Sequence, residues 1–243
     1  MLRQYHVCGG KFAPRLGPAL FTLAGIVLLV TLGIWQLDRR AWKHDLVSRI
    51  TAQMQADPVA LPSECPDPAA LEYKGVHVRG TFHHDKEIFL AARDVKYSVF
   101  GYHVLTPLET PEHKFVLVDR GYVPSQKKPP EARAAARVEG EVTVAGVVRV
   151  PKERGWMVPD NDAARNFWLW VDLVAMASFA KVPEFMPIII EADATPNPGG
   201  FPVGGQTRVV FTDNHLIYAI IWFFLAVALG TIFFLAHWRR NGT

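Results

Sequence analysis

Two long runs of apolar residues dominate the hydrophobic pattern, one near each end of the chain. The first, Ala19 to Leu37, has 19 residues without a charged side chain. The second, Leu216 to Trp238, has 23, of which only His237 can carry a charge near neutral pH. As a helix the first run measures about 28 Å, close to the ~30 Å hydrocarbon thickness of a bilayer. The rest of the chain is too small to bury both runs, so the pattern predicts two transmembrane helices.

Between the two runs the pattern changes to short segments. Helical spacing continues from Asp38 to Gln55, and a proline-rich stretch follows up to residue 68. Alternation of apolar and polar residues then predicts seven strands, at Tyr73–Phe82, Glu87–Ala92, Gly101–Leu108, Lys114–Val123, Glu141–Val150, Phe167–Val171 and Pro187–Glu191. The interruptions are one short helix near Asp172–Phe179 and an exposed loop or short helix at Lys127–Arg137. Strands without intervening helices favour an antiparallel sheet or a partly closed barrel.

The predicted fold class is an α+β membrane protein in which two transmembrane helices flank an antiparallel, β-rich extracytoplasmic domain. The predicted boundaries are residues 1–18 for a cytoplasmic N-terminus, 19–37 for the first transmembrane helix, 38–214 for the extracytoplasmic domain, 215–238 for the second transmembrane helix and 239–243 for a cytoplasmic C-terminus.

The first apolar run is interpreted as an uncleaved anchor. It exceeds the 7–15 apolar residues usual in a signal peptide, and the residues after it offer no small-x-small cleavage site. The short basic leader is poor as a mitochondrial transit peptide, which favours a bacterial inner membrane. The flanking charges of the first run are ambiguous, but Arg239 and Arg240 after the second favour cytoplasmic termini and a large periplasmic loop.

The charge distribution argues against a nucleic-acid partner. The formal net charge is +3, but the terminal segments outside residues 38–214 carry five basic residues and no acidic one. The central segment therefore has a slight acidic excess, and the electrostatic attraction to nucleic acid is missing. The two cysteines, Cys8 and Cys65, fall on opposite sides of the membrane in this topology, which excludes a disulfide between them.

Candidate chemistry is sparse in the central segment. None of the five serines lies in a recognisable nucleophile motif. Asp160 and Asp162 fit a turn better than an acid pair. The adjacent residues His83 and His84 would point to opposite faces of a strand, which disfavours one shared metal. The glycine-rich stretch 199–205 lacks the lysine of a phosphate loop and fits a hinge. The sequence therefore does not predict an enzyme.

One group of residues at the outer end of the two apolar runs does suggest a site. His215, Tyr218 and Trp222 share one face of the second helix, and Trp35 and Gln36 end the first helix at the same level. One interpretation is an aromatic belt at the membrane interface. The other is a haem site, with His215 as the iron ligand beside flat apolar rings. His237 lies about 33 Å further along the helix and cannot share that iron.

Four motifs carry a resemblance to a known family, in order along the chain. They are Gly33-x-Trp35-Gln36-x-x-Arg39-x-x-x-Lys43, Tyr73-x-x-Val76-x-Val78-x-Gly80-x-Phe82, Val118-Asp-Arg120-Gly121-Tyr-Val-Pro124 and Asn214-His215-Leu216-x-Tyr218-x-x-x-Trp222. Together they resemble the surfeit locus protein 1 family. The resemblance implies an inner-membrane assembly factor for cytochrome c oxidase that acts while haem A reaches the catalytic subunit. Its implied partners are that subunit, the haem A synthesis machinery and membrane lipid.

The resemblance also implies roles for single residues. His215 matches a family histidine implicated as a haem A ligand, and Gly80 matches a glycine at which close backbone approach is expected. An arginine that often precedes the Asn-His pair is replaced by Thr212, so a charge against a haem propionate would have to come from Arg208. The alternative function is a scaffold that binds oxidase subunits through its outer domain without touching haem.

Overall fold

The computed structural model describes residues 5–7, 10–12, 14–93, 99–207 and 213–240, which form two compact units. Unit 1 combines residues 1–49 with residues 210–243, and unit 2 spans residues 50–209. The division follows the sequence pattern, because the first unit contains both apolar runs and the second contains the alternating segments.

Unit 1 is built on two helices that are long and apolar enough to cross a membrane. Helix α1 (Leu16–Gln55) has 40 residues and extends past Arg49 into the start of unit 2, and helix α3 (His215–His237) has 23. The mean hydropathy of their most apolar windows is 2.1 and 2.5, and only 11% of each window is buried. A core helix of a soluble protein would be mostly buried. These two helices, flanking a β-rich domain, therefore fit a membrane protein.

The two helices pack through small residues. Thr22 and Gly33 are buried on α1, as are Ala219 and Ala226 on α3. A Cβ added at Gly33 would lie 2.5–2.9 Å from ring atoms of Phe223. Small residues let helix backbones approach closely where lipid offers no hydrophobic drive for association. This packing holds the middle of α1 beside the first turns of α3.

A small antiparallel sheet joins the two terminal segments of unit 1. Strand β2 (Gly10–Phe12) pairs with β1 (Tyr5–Val7) on one side and with β10 (Trp238–Arg240) on the other. The ring of Phe12 stacks 5.6 Å from that of Phe234. The ends of α1 and α3 that are remote from His215 therefore lie together.

Unit 2 is a closed barrel of five strands. The strands are β4 (Gly75–Phe82), β6 (Phe100–Glu109), β7 (Phe115–Pro124), β8 (Glu141–Arg149) and β9 (Ile189–Ala192). They follow one another in the order β4, β8, β9, β7, β6, and β6 pairs again with β4 to close the barrel. Two strands flank it: β5 (Ile88–Arg93) on β6, and β3 (Val59–Ala60) on β4. Within the barrel only β7 and β9 run parallel, so the prediction of a largely antiparallel barrel is confirmed.

Alternating residues divide the apolar side chains of the barrel between two cores. Val116 and Val118 of β7 point inward with residues from the other four strands. Leu117 between them points outward, to a second core formed with Trp168 and helix α2 (Leu173–Ala180). Successive side chains of a strand point to opposite faces of the sheet, and here both faces are covered, so each face has its own core.

The strand predicted at Phe167–Val171 is wrong. Trp168 makes only a single bridge, to Leu90 of β5. The backbone N–H groups of Leu169 and Trp170 instead donate to the side-chain oxygen of Asn161, at 2.8 and 3.3 Å. Because these donors are satisfied by a side chain, no ladder extends along the segment. The helix predicted just after it is confirmed as α2.

Helix α2 begins at a side-chain cap whose loss should be measurable. The carboxylate of Asp172 accepts a hydrogen bond from the N–H of Ala175 at 3.0 Å. We expect Asp172→Ala to lower the free energy of unfolding by about 1 kcal/mol, because that donor loses its partner. Asp172→Asn keeps an acceptor and should change it by less than about 0.5 kcal/mol. Urea unfolding of the full chain in detergent would measure both, and equal losses would contradict the role of the cap.

Candidate functional site

The predicted site around His215 is organised around one hydrogen bond. Nδ1 of His215, the first residue of α3, lies 2.7 Å from Oε1 of Gln36 on α1. Since an amide oxygen only accepts, Nδ1 carries the proton and donates it to this bond. In the neutral ring the other nitrogen, Nε2, then has the lone pair. An imidazole fixed in this way resembles a metal-ligating histidine, whose second nitrogen usually donates to an oxygen.

A carboxylate fixes the backbone at the start of α3. Oδ1 of Asp213 accepts the N–H of His215 at 3.1 Å. Oδ2 lies 2.8 Å from Nε2 of His44 and 3.4 Å from Nε of Arg40, both on α1. Burial alone would raise the pKa of Asp213, but the bonds from His44 and the His215 backbone, with the charges of His44 and Arg40, lower it. The carboxylate thus ties the start of one helix to the other helix.

Sequence reasoning missed Asp213, Arg40 and His44. A signal was present, because Arg40 and His44 lie one turn apart on α1 and Asp213 comes two residues before His215. The sequence alone does not show that these residues are in contact, because the contact depends on the packing of α1 against α3. Thr212 and Arg208, named above for a propionate contact, lie outside the described residues.

The aromatic residues of the predicted site leave flat surfaces open. Trp35 is 54% exposed and Tyr218 is 50% exposed, while Trp222 is partly buried. In a membrane such faces contact either lipid or a flat apolar ligand. The structure joins His215 and Gln36 by a direct bond, and the three rings lie on the same two helices. His237, at the far end of α3, donates from Nδ1 to the carbonyl oxygen of Phe233, 2.9 Å away on the same helix.

The two histidines that follow β4, His83 and His84, contact different partners. Nε2 of His83 lies 2.9 Å from a carboxylate oxygen of Glu109, and Nε2 of His84 lies 3.1 Å from the carbonyl of Val138. Within the described part of the chain, no group of three or more His, Cys, Asp or Glu side chains could hold a metal ion. Asp162 caps a turn through the N–H of Arg165, as predicted.

The motif around Arg120 builds a buried network that sequence reasoning did not foresee. Arg133, predicted in an exposed loop or short helix, is 5% exposed and holds Glu87 by two hydrogen bonds of 2.9 and 2.5 Å. Burial alone would raise the pKa of Glu87, but contacts with His84 and Arg133 and the charges of both arginines lower it to about 2. Burial lowers the pKa of Arg120 to about 10.

Asp119, which points to the other face of β7, pairs with a histidine. Its Oδ2 lies 2.6 Å from Nδ1 of His103, and its Oδ1 accepts the N–H of Gly121 at 2.9 Å. Burial alone would lower the pKa of His103, but the charge and hydrogen bond of Asp119, with the charge of Glu191, raise it. This pair links β6 to β7 next to the irregular register between His103 and Leu105.

The chain is similar to known proteins of one family. The model of the SURF1 family matches residues 23–227. A SURF1-like protein of Monosiga brevicollis is 38% identical over 95% of this chain and 91% of the relative. Surfeit locus protein 1 of Mus musculus is 37% identical over 86% of this chain and 72% of its own length. The Homo sapiens protein of that name is 37% identical over 84% and 72%.

Proposed function

The chain belongs to the SURF1 family, and from that premise we propose that it is a membrane-bound assembly factor for cytochrome c oxidase that holds haem A and assists its insertion into the catalytic subunit. The protein binds its cargo and catalyses no reaction. Its partners in this role are the oxidase catalytic subunit and the machinery that synthesises haem A. Two requirements follow: an anchor in the membrane where the cargo is handled, and a ligand for its iron.

The observation that carries the proposal is the bond between His215 and Gln36. Because Nδ1 is used as a donor to Oε1 of Gln36 at 2.7 Å, Nε2 is the nitrogen left to bind a metal. The bond also restricts rotation of the ring, so the ligand is ordered before the cargo arrives. Haem A would supply an iron that binds a nitrogen ligand.

The surroundings suit a large flat molecule. Trp35 and Tyr218 expose about half of their surface. Trp35 precedes Gln36 on α1, and Tyr218 lies about one turn after His215 on α3. Apolar rings at the membrane boundary favour a porphyrin over water. With His215 as the single described protein ligand, haem would be bound reversibly. Reversible binding suits delivery better than permanent cofactor binding.

Removal of the imidazole should abolish haem binding. We expect His215→Ala, purified from a host that makes haem A, to lose the Soret absorption band of the wild-type protein, because the proposed iron ligand is gone and Nε2 of the neighbouring His44 is engaged by Asp213. His237→Ala is the matched control, since it removes the imidazole at the opposite end of the same helix. Absorption spectra and the molar ratio of haem to protein are the measurements.

The outcomes separate the two candidate functions. Full retention of haem in His215→Ala would reject His215 as the ligand. Wild-type protein with far less than one haem per chain, together with stable co-purification of the oxidase catalytic subunit, would favour a scaffold that does not touch haem.

Gln36 should tune the affinity without supplying a ligand. We expect Gln36→Leu to weaken haem binding by about 10–100-fold, because loss of the acceptor frees the ring and lowers the basicity of Nε2. Gln36→Glu keeps an acceptor and should retain binding near the wild-type level. Haem titration of the stripped proteins gives the dissociation constants. Equal affinity in Gln36→Leu and wild type would show that the bond does not position the ligand.

The proposal includes a bacterial inner membrane with both termini in the cytoplasm and unit 2 in the periplasm. Support comes from the two candidate membrane helices and from Arg239 and Arg240 after the second. Alkaline phosphatase inserted at the exposed residue Trp156 should be active, and β-galactosidase at the same position inactive. The reverse pattern would reject this orientation.

A further inference from the structure

A cavity opens beside the first half of β8, within unit 2. Its volume is about 250 Å³, and Phe82, Val138, Val142 and Val144 form its apolar wall. The cavity exists because β9 is short: its ladder with β8 covers only Gly146–Arg149, although β8 begins at Glu141. The first half of β8 therefore has no β9 partner, and space remains beside it.

The polar part of the cavity lining includes Arg120, Asn197, Thr195 and Asp193. The carboxylate of Asp193 accepts the N–H of Thr195 at 2.9 Å, and its charge disfavours a doubly charged anion in the cavity. Arg120 is 2% exposed, and one of its terminal nitrogens donates to the carbonyl of Ala136 at 2.6 Å and to Oδ1 of Asn197 at 2.8 Å. Its other terminal nitrogen lies 3.3 Å from Nδ1 of His84. These acceptors are neutral, so none of them cancels the charge of the guanidinium.

The nearest carboxylate is already engaged. Glu87 accepts two hydrogen bonds from Arg133, and its distance to Arg120 is 3.9 Å, longer than a hydrogen bond. His84 adds no negative charge. Its Nε2 lies 3.1 Å from the carbonyl oxygen of Val138, and its Nδ1 lies 3.3 Å from Arg120 and 3.8 Å from Glu87.

Arg120, Arg133 and Glu87 therefore give the buried cluster two positive charges and one negative charge. Across the described ranges, no carboxylate other than Glu87 lies within 4.0 Å of Arg120 or Arg133. A buried charge without a partner costs several kcal/mol, about the scale of a broken buried pair. An anion with one negative charge would remove this imbalance, and the cavity gives it access to Arg120.

We infer that this cavity binds a small organic carboxylate. The carboxylate group of the ligand pairs with the guanidinium of Arg120, which binds carboxylates through well-directed hydrogen bonds. Its apolar body lies along Phe82, Val142 and Val144. A single excess positive charge matches a carboxylate better than a doubly charged phosphate, and the apolar wall favours a short hydrocarbon chain. The inference does not depend on haem binding, because every residue that it uses lies in unit 2.

The test uses the full chain in detergent and measures its unfolding temperature by near-ultraviolet circular dichroism. Sodium hexanoate, sodium acetate, sodium phosphate and sodium chloride are titrated at constant ionic strength. Hexanoate should raise the unfolding temperature in a saturable manner, and acetate should act with about tenfold lower affinity because it lacks the apolar body. Equal effects of hexanoate and chloride would overturn the inference, and saturable binding of phosphate alone would assign the cavity to phosphate.

Matched variants locate the effect. Val142→Phe fills the cavity and leaves Arg120 intact, and it should weaken hexanoate binding at least about tenfold. Val147→Phe places the same ring on the same strand but on the opposite face, and it should bind like wild type. Arg120→Gln should also weaken binding at least about tenfold if it folds. If it does not fold, the two phenylalanine variants still decide, because unchanged binding in Val142→Phe would exclude this cavity.

Discussion

Gly80→Ala is expected to destabilise the barrel by at least about 3 kcal/mol, because the added methyl group collides with backbone at the strand pair that closes the barrel. A Cβ at Gly80 would lie 2.4 Å from the carbonyl oxygen of Glu109 and 3.0 Å from its carbonyl carbon. The next residues of β4, Thr81 and Phe82, pair with Glu109 and Leu108 of β6. To relieve the collision, β4 and β6 would have to move apart at the residues that close the barrel.

Gly75→Ala is the matched control for this prediction. Gly75 begins the same strand, and its added Cβ would meet its nearest neighbour at 3.5 Å, an ordinary van der Waals contact. We expect it to change stability by less than about 1 kcal/mol. Urea unfolding followed by near-ultraviolet circular dichroism would compare the two variants. Similar midpoints for Gly80→Ala and Gly75→Ala would contradict the close approach at Gly80.

Glu87→Gln is expected to cost about 3–5 kcal/mol, since it leaves two buried guanidinium groups without a carboxylate. The side chains of Glu87 and Arg133 are only 3% and 2% exposed. The amide has nearly the shape of the carboxylate, so the loss reports charge and hydrogen bonding rather than volume. Glu141→Gln is the control: it breaks the pair with Arg79, whose side chain is 69% exposed, and should cost at most about 1 kcal/mol.

The pH dependence gives this prediction a second readout. The pKa of Glu87 falls from 4.5 in the unfolded chain to about 2 in the folded protein. A lowered pKa means that its stabilisation is fully present above pH 4.5 and is lost as the pH falls through about 2. The difference in unfolding free energy between wild type and Glu87→Gln should therefore be constant near neutral pH and shrink below pH 4.5. A difference that shrinks near pH 7 instead would assign the effect to another group.

Local patterns along the chain were sufficient to predict most elements. The two apolar runs predicted α1 and α3 because a helix in lipid needs length and an uncharged surface, both visible in any linear sequence. The alternating pattern predicted seven strands. Six of them are strands in the structure, and the segment Phe167–Val171 is not. There the side chain of Asn161 satisfies the backbone donors, and the sequence contains no signal for that distant bond.

Long-range pairing decided the features that local patterns cannot encode. Closure of β4 onto β6 and the parallel alignment of β7 with β9 depend on which strands meet in space. Burial of Arg133 depended on its finding Glu87, 46 residues away. An arginine in an alanine-rich segment otherwise resembles a solvated loop residue.

The amino-acid sequence by itself determined the two apolar helices, the β-rich domain between them and the choice of His215, Tyr218, Trp222, Trp35 and Gln36 as candidates. These depend on composition and on periodicity within a few residues. Only the tertiary structure decided that Gln36 holds Nδ1 of His215, that Asp213 joins Arg40 and His44, and that Arg120 lies beside an open cavity. The physical reason is that a hydrogen bond or an uncompensated charge depends on distances of a few ångströms between residues far apart in the chain, and those distances exist only after the helices and strands have packed.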